Sequence, residues 1–260
     1  MDNSAFNHQT LNVDPKQGER EYFARIGEEG RRHAMGKPFS DVNCRQYLMN
    51  TCAILSLIPE KPARIVEFGC GTGWLSLILA QRGFEVTGID ISPDAITIAS
   101  ELRDQKKLTN VVFQVADYEE VKIEPLADYV IFHDALHHAE SEDAAMAAAY
   151  AALVPGGMVI CIEPGDGHSQ SAVSLNAVKE FGVHEKDMPP RKIISYAKKA
   201  GFKRWLVLPW PWDHLRHIYR STYAKSINEG NIYGRKVLGL IRAFKTLFMH
   251  RAQGVVLIWK

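Results

Sequence analysis

The chain has 260 residues, 46% of them hydrophobic, and a formal net charge of +1, which allows one sizeable core and argues against a global nucleic-acid-binding field. Its four cysteines, Cys44, Cys52, Cys70 and Cys161, show no C-x-x-C pair and no clustering with histidine, so no metal site is assigned and reduced thiols in a cytoplasmic enzyme are expected. The N-terminus lacks the regions of a signal peptide and no apolar run reaches the ~18 residues of a membrane span, so a soluble protein is expected.

In chain order, residues 1–18 are polar, carry Pro15 and Gly18, and read as a mobile tail. A helix is expected over 41–58. Strand and helix then alternate: strand 63–68, helix 73–81, strand 84–89, helix 93–105 with Ser92 as cap and proline at its first position, and strands 110–115 and 127–132. An alanine-rich helix over 140–153 ends at Val154-Pro155-Gly156-Gly157, and strand 158–163 follows. Beyond Pro189-Pro190 come helix 191–200, closed by Gly201, strand 203–208 and a last strand over 254–259. Repeated strand–helix units imply parallel strands, right-handed crossovers and helices on both faces.

The segment Ile65-Val66-Glu67-Phe68-Gly69-Cys70-Gly71-Thr72-Gly73-Trp74-Leu75-Ser76 concentrates the chemistry. An apolar strand ends in an acid, passes through three alternating glycines and leaves as a helix, the form of a nucleotide-binding crevice. A dinucleotide fingerprint would place its third glycine at position 74, which is Trp74. Glu67-x-Gly69-x-Gly71-x-Gly73 instead resembles the first motif of class I S-adenosylmethionine-dependent methyltransferases. The resemblance covers about residues 63–210 and implies a Rossmann-like, doubly wound α/β sheet, mostly parallel with a reversed C-terminal edge hairpin.

The resemblance and the strand ends together suggest a cofactor site. Glu67, Gly69, Cys70, Gly71 and Gly73 would hold the methionyl end, and Asp90 with Ile91, about 20 residues on, the ribose diol. Ala116-Asp117-Tyr118 sits where the family holds adenine, and His133 where the cofactor cleft meets the acceptor. Trp74 is expected to pack the helix start, and Cys70 to act only as a small residue.

The stretch His133-Asp134-Ala135-Leu136-His137-His138 supplies acid–base groups. Histidine titrates near neutrality, so His137 or His138 is the expected general base, with Asp134 orienting an imidazole. A His-His pair here is frequent in similar small-molecule enzymes. No Asn/Asp-Pro-Pro-aromatic tetrad follows this strand, which argues against base methylation of nucleic acid.

Three segments are candidates to read the acceptor. Residues 21–35, containing Tyr22, stand where family members carry lids; Glu163 and His168 follow the fifth strand; and Trp212 and Arg216 open a basic segment. Residues 211–253 hold eight Lys or Arg against two acids, +6, leaving −5 for the rest. This segment of about 40 residues separates the last two strands, far more than a hairpin loop needs. Trp212 and Arg216 suit a sugar or an anion; alternatively residues 236–251 form a basic amphipathic helix that lies on an anionic membrane, or packs its Val237, Ile241 and Phe244 face on the sheet.

The expected organisation is a tail and helical lid over 1–58, a core over 59–210, a basic helical insert over 211–253 and a returning strand over 254–260. The expected activity is transfer of a methyl group from S-adenosylmethionine to a small-molecule or glycan-like acceptor, at oxygen with a histidine base. Carbon or nitrogen methylation of a quinone-like metabolite, and a non-catalytic cofactor-binding module acting through the insert, are the alternatives.

Overall fold

The computed structural model describes residue 14 and residues 16–59, 62–223, 232–248 and 252–260. Seven strands form one sheet: β1 (Arg64–Phe68), β2 (Glu85–Asp90), β3 (Val111–Val115), β4 (Ala127–His133), β5 (Leu153–Ile162), β6 (Arg204–Leu208) and β7 (Val255–Trp259). Their order is β3-β2-β1-β4-β5-β7-β6, and both pairings of β7 are antiparallel while all the others are parallel. The reversed edge is thus as expected, with β7 inserted between β5 and β6.

Helices cover both faces: α1 (Gln17–Arg25), α2 (Gly27–Gly36), α3 (Cys44–Leu57), α4 (Trp74–Gln81), α5 (Pro93–Gln105), α6 (Glu142–Ala152), α7 (Ala172–Phe181), α8 (Pro190–Ala200), α9 (Pro211–Tyr223) and α10 (Ile232–Thr246). Two cores result from the alternation of side chains along the strands. Ile65, Ile131 and Ile160 point to a core shared with Leu75 and Leu79 of α4, whereas Val66, Val130 and Val159 point to one shared with Met146 of α6 and Ile193 of α8. Strands buried on both faces must be apolar throughout, which is why the central strands read as unbroken hydrophobic runs.

Local signals set the helix ends. The Ser92 hydroxyl accepts from the Ala95 amide ahead of α5, and the Ser141 hydroxyl from the Ala144 amide ahead of α6. Because Ser141 is the cap, α6 starts at Glu142 rather than 140. It also stops at Ala152, since Leu153 already pairs with Ala127 and β5 runs on through Pro155 past a register irregularity.

Three other expectations are corrected. Most of the supposed tail (residues 1–13 and 15) lies outside the described residues, but Gln17 and Gly18 belong to α1. A Cβ on Gly18 would sit 2.3 Å from the Gly182 carbonyl oxygen, so α1 is pressed against the end of α7. The helix α7, capped by Ser171 and closed by Gly182 at φ +72°, was not expected at all. Finally, Val237, Ile241 and Phe244 do not pack on the sheet: they are 56%, 48% and 61% exposed, and α10 turns Ala243 and Gly239 inward instead, against α9. Among the described residues no helix is long and apolar enough to cross a membrane.

Candidate active site

The carboxyl ends of β1, β2, β4 and β5 and the helices α1–α3 enclose a cavity of about 660 Å³. At the end of β1, the amides of Gly69 and Cys70 both donate to the Ile89 carbonyl, and the Gly71 amide donates to Asp90 Oδ2 at 2.8 Å. Asp90 Oδ1 accepts from the Ser92 amide at 2.9 Å, so one carboxylate ties the glycine turn to the start of α5. Glycine is required at two points for different reasons. Gly73 has φ +74°, and a Cβ there would meet the Phe113 ring at 2.5 Å; Gly71 has φ +51°, and its missing Cβ faces only Phe23 at 3.7 Å across open cavity.

Glu67 is buried behind this turn and accepts from the Ser76 hydroxyl at 2.5 Å. Burial, opposed by Ser76, pushes its pKa up to about 8. Asp117 accepts from Lys16 Nζ at 2.5 Å and from the Glu119 amide at 2.9 Å. The Tyr118 ring lies 5.8 Å from and nearly parallel to Phe68, with its hydroxyl on the Ala135 carbonyl.

The end of β4 carries the acid–base groups. His133 meets Asn50 Nδ2 at 3.2 Å and lies 5.5 Å from the Trp74 ring and 5.9 Å from the Tyr47 ring, making an aromatic wall. Asp134 takes up φ +50°, a left-handed turn that swings the chain out of the strand. The next three residues close on Glu163 at the end of β5. Glu163 Oε1 accepts from the amides of Ala135 and Leu136 at 3.0 and 2.9 Å, and Oε2 lies 2.8 Å from His137 Nδ1.

An acceptor carboxylate fixes the proton of His137 on Nδ1 and leaves Nε2 as the basic atom. Nε2 faces Glu185 at 3.8 Å, too far for a hydrogen bond, while Glu185 is taken by His168 Nε2 at 2.5 Å. Burial, and then the neighbouring charge of His138, holds the His137 pKa well below the usual 6.5. His138 behaves oppositely. Burial works against its charge, but Glu19 Oε1 at 3.3 Å raises it to about 9. The adjacent histidines, with ring centres 4.0 Å apart, are thus held as a neutral ring and a cation.

Of the residues expected from sequence, Glu67, Gly69, Cys70, Gly71, Asp90, Ile91, Asp117, Tyr118, His133, Asp134, His137, His138, Tyr22 and His168 all line the cavity. Gly73, Ala116 and Glu163 stand behind the wall. Glu163 is 1% exposed with both oxygens engaged, so it supports the β4 turn and is not free to face an acceptor. Trp212 and Arg216 are on α9 away from the cavity: Trp212 stacks on Arg45 of α3 and Arg216 pairs with Asp213. The basis for a glycan-like acceptor goes with them.

Lys16, Glu19, Tyr47 and Glu185 also line the cavity, and no motif in the sequence marks them. Their partners lie far away in sequence, Lys16 and Asp117 being 101 positions apart, so no local pattern marks them. The fold also gathers His137, His168 and Glu185 with one possible ligand atom each, all within 4.8 Å of one another, a set of metal-capable donors that sequence spacing did not disclose.

A family model described as a methyltransferase domain matches residues 59–205. The chain belongs to the class I S-adenosylmethionine-dependent methyltransferases. S-adenosylmethionine is accordingly its cofactor. It is 29% identical over 210 residues to the ubiquinone biosynthesis O-methyltransferase of Cereibacter sphaeroides, covering 70% of this chain and 83% of that one. The enzyme of the same name from Ralstonia nicotianae is 28% identical over 236 residues, covering 84% and 93%.

Solved structures share the methyltransferase fold. Phosphoethanolamine N-methyltransferase 2 of Haemonchus contortus, in complex with S-adenosyl-L-methionine, superposes with a TM-score of 0.61 at 22% identity over 92% of this chain, which spans only 59% of that one. Geranyl diphosphate C-methyltransferase of Streptomyces coelicolor gives a TM-score of 0.61 at 12% identity, covering 96% and 98%.

Proposed function

We propose that this methyltransferase acts on a hydroxyl of a small, flat acceptor, with His137 as the general base. The observation that carries the reading is His137 itself: Nδ1 is clamped on Glu163 at 2.8 Å, Nε2 lies 3.8 Å from Glu185, which lines the cavity together with His137, and burial keeps the ring neutral. A neutral imidazole with one nitrogen fixed as donor can take a proton only at the other. His138, held at about 9 and paired with Glu19, already carries its proton at neutral pH and is not the base.

The residues present fit the cofactor. Gly71 leaves space where any side chain would intrude, and two carboxylates, Glu67 buried and Asp90 half-buried, stand at neighbouring strand ends. Glu67 and the turn Gly69–Gly71 would hold the methionyl end, Asp90 and Ile91 the ribose, and Asp117 and Tyr118 the adenine, with Lys16 sharing Asp117. When bound, S-adenosylmethionine supplies a methyl group on a cationic sulfonium, an electrophile that needs no further activation. What remains for the protein is to orient the acceptor, exclude water and remove one proton.

His133, Tyr47 and Trp74 offer an aromatic wall for a flat ring, α1 and α2 close the cavity from solvent, and His137 Nε2 receives the hydroxyl proton. A volume of about 660 Å³ is in the range of small-molecule sites and leaves room for an acceptor beside a cofactor. The relatives named ubiquinone biosynthesis O-methyltransferases support oxygen as the methylated atom and a quinone-precursor-like ring as the acceptor. The test is to incubate the protein with S-adenosylmethionine and a panel of catechols and hydroquinones and to locate the new methyl group by NMR. A methoxy signal is expected; a new carbon-bound methyl would refute the reading.

A further inference from the structure

One face of α10 is apolar, and among the described residues nothing covers it. Leu247, Leu240, Phe244, Val237, Phe248 and Ile241 are each 40–68% exposed. At 3.6 residues per turn they form one continuous arc of roughly a third of the helix circumference. Gly239, Ala243 and Thr246 lie on the opposite side, where the Thr246 hydroxyl meets His214 of α9 at 3.0 Å, so packing on α9 fixes the apolar arc outward.

The charges around this arc all have one sign. Residues 232–248 contain Arg235, Lys236, Arg242 and Lys245 and no acid. By helical position Lys245 borders one edge of the arc and Lys236 the other, with Arg242 farther round beyond Lys245. Two copies packed face to face would oppose these cations, which disfavours self-association through this surface. An apolar stripe bordered by cations is complementary to a surface that is apolar within and anionic at its boundary.

We propose that α10 is a peripheral membrane-binding helix that seats its Val237–Phe248 face in the interfacial region of an anionic bilayer. Its position also matters. From Phe248 only four peptide units lead to Ala252, a reach of no more than about 14 Å. The Ala252 carbonyl accepts from the Asp166 amide, and Gln253 lines the active-site cavity. The membrane-facing helix is therefore tethered to the cavity rim beside Pro164 and His168, which suits an acceptor that partitions into lipid. This last step alone rests on the acceptor reading above; membrane binding does not.

The test is flotation of the full chain with vesicles of phosphatidylcholine alone or with about a third phosphatidylglycerol. The expected result is binding to the anionic vesicles, weakened by salt and reduced about tenfold or more by the double variant Ile241→Asp, Phe244→Asp. Both positions are exposed, and unchanged binding of S-adenosylhomocysteine by calorimetry will show that the variant is folded. Absence of binding to anionic vesicles, or equal binding by the variant, overturns the proposal. So does a concentration-dependent dimer in analytical ultracentrifugation that the variant dissolves, which would make the face a contact between copies. None of these outcomes depends on which acceptor is methylated.

Discussion

Glu19→Gln isolates the ion pair that joins α1 to the turn after β4. Glu19 on α1 lies 3.3 Å from His138 and 3.6 Å from His184, and its pKa falls to about 2 against the opposing effect of burial. His138 rises to about 9, again against burial. The fold therefore binds the His138 proton more tightly than the unfolded chain does, and this stabilisation is complete below pH 6.5 and lost as pH rises through about 9. The lowered Glu19 value is the same interaction seen from its partner: it is complete above pH 4.5 and lost as pH falls through about 2. Counted once, a shift of this size corresponds to about 3 kcal/mol.

Denaturant unfolding of wild type and Glu19→Gln should thus differ by about 2–3 kcal/mol at pH 6, and the gap should shrink markedly by pH 10. Histidine NMR titration should show His138 falling from about 9 toward the ordinary 6.5, since burial is then opposed only by the more distant charges of Glu185 and Glu163. Loss of the His138 charge also removes one of the influences that depress His137. An equal stability gap at both pH values would refute the reasoning, because it would mean that Glu19 acts through packing and not through charge.

Asp90→Ala should weaken S-adenosylhomocysteine binding by about 1.5–3 kcal/mol in calorimetry, since Asp90 holds the Gly71 amide as well as facing the cavity. Gly73→Ala should destabilise the fold by about 2 kcal/mol or more in thermal or urea unfolding, because the new Cβ would strike Phe113 at a left-handed φ. Arg216→Ala should leave the acceptor KM within about twofold of wild type in steady-state assays, as Arg216 pairs with Asp213 outside the cavity.

What the sequence discloses depends on how local the cause is. The glycine turn, Asp90 and the Asp117-Tyr118 pair are legible because strand ends and short turns place them by spacing alone, and all but Gly73 reach the cavity wall. Gly73 carries the same spacing, but its work is to keep a Cβ away from Phe113. The choice between His137 and His138 is not legible. It is made by Glu163, 26 positions on, and by Glu19, 119 positions earlier, neither of which a local window connects to the pair.

Periodicity marks α10 as amphipathic but carries no information about what covers its apolar side, so the inward and outward arrangements look alike in sequence. Helix α7 shows why a weak pattern misleads. Val173, Leu175 and Val178 are exposed, so no apolar stripe announces it, although the Ser171 cap and Gly182 were signals at its ends. Lys16 and Glu19, at the start of α1, precede any hydrophobic pattern and gain meaning only through their partners Asp117 and His138.

The most direct test of the account is transfer of an isotopically labelled methyl group from S-adenosylmethionine to a catechol-type acceptor by wild type and His137→Gln, in single turnovers at saturating cofactor. The account predicts methylation by wild type and a rate lowered by about 10²-fold or more in the variant, with cofactor affinity unchanged. A variant that transfers the methyl group as fast as wild type would contradict the assignment of His137 as the base.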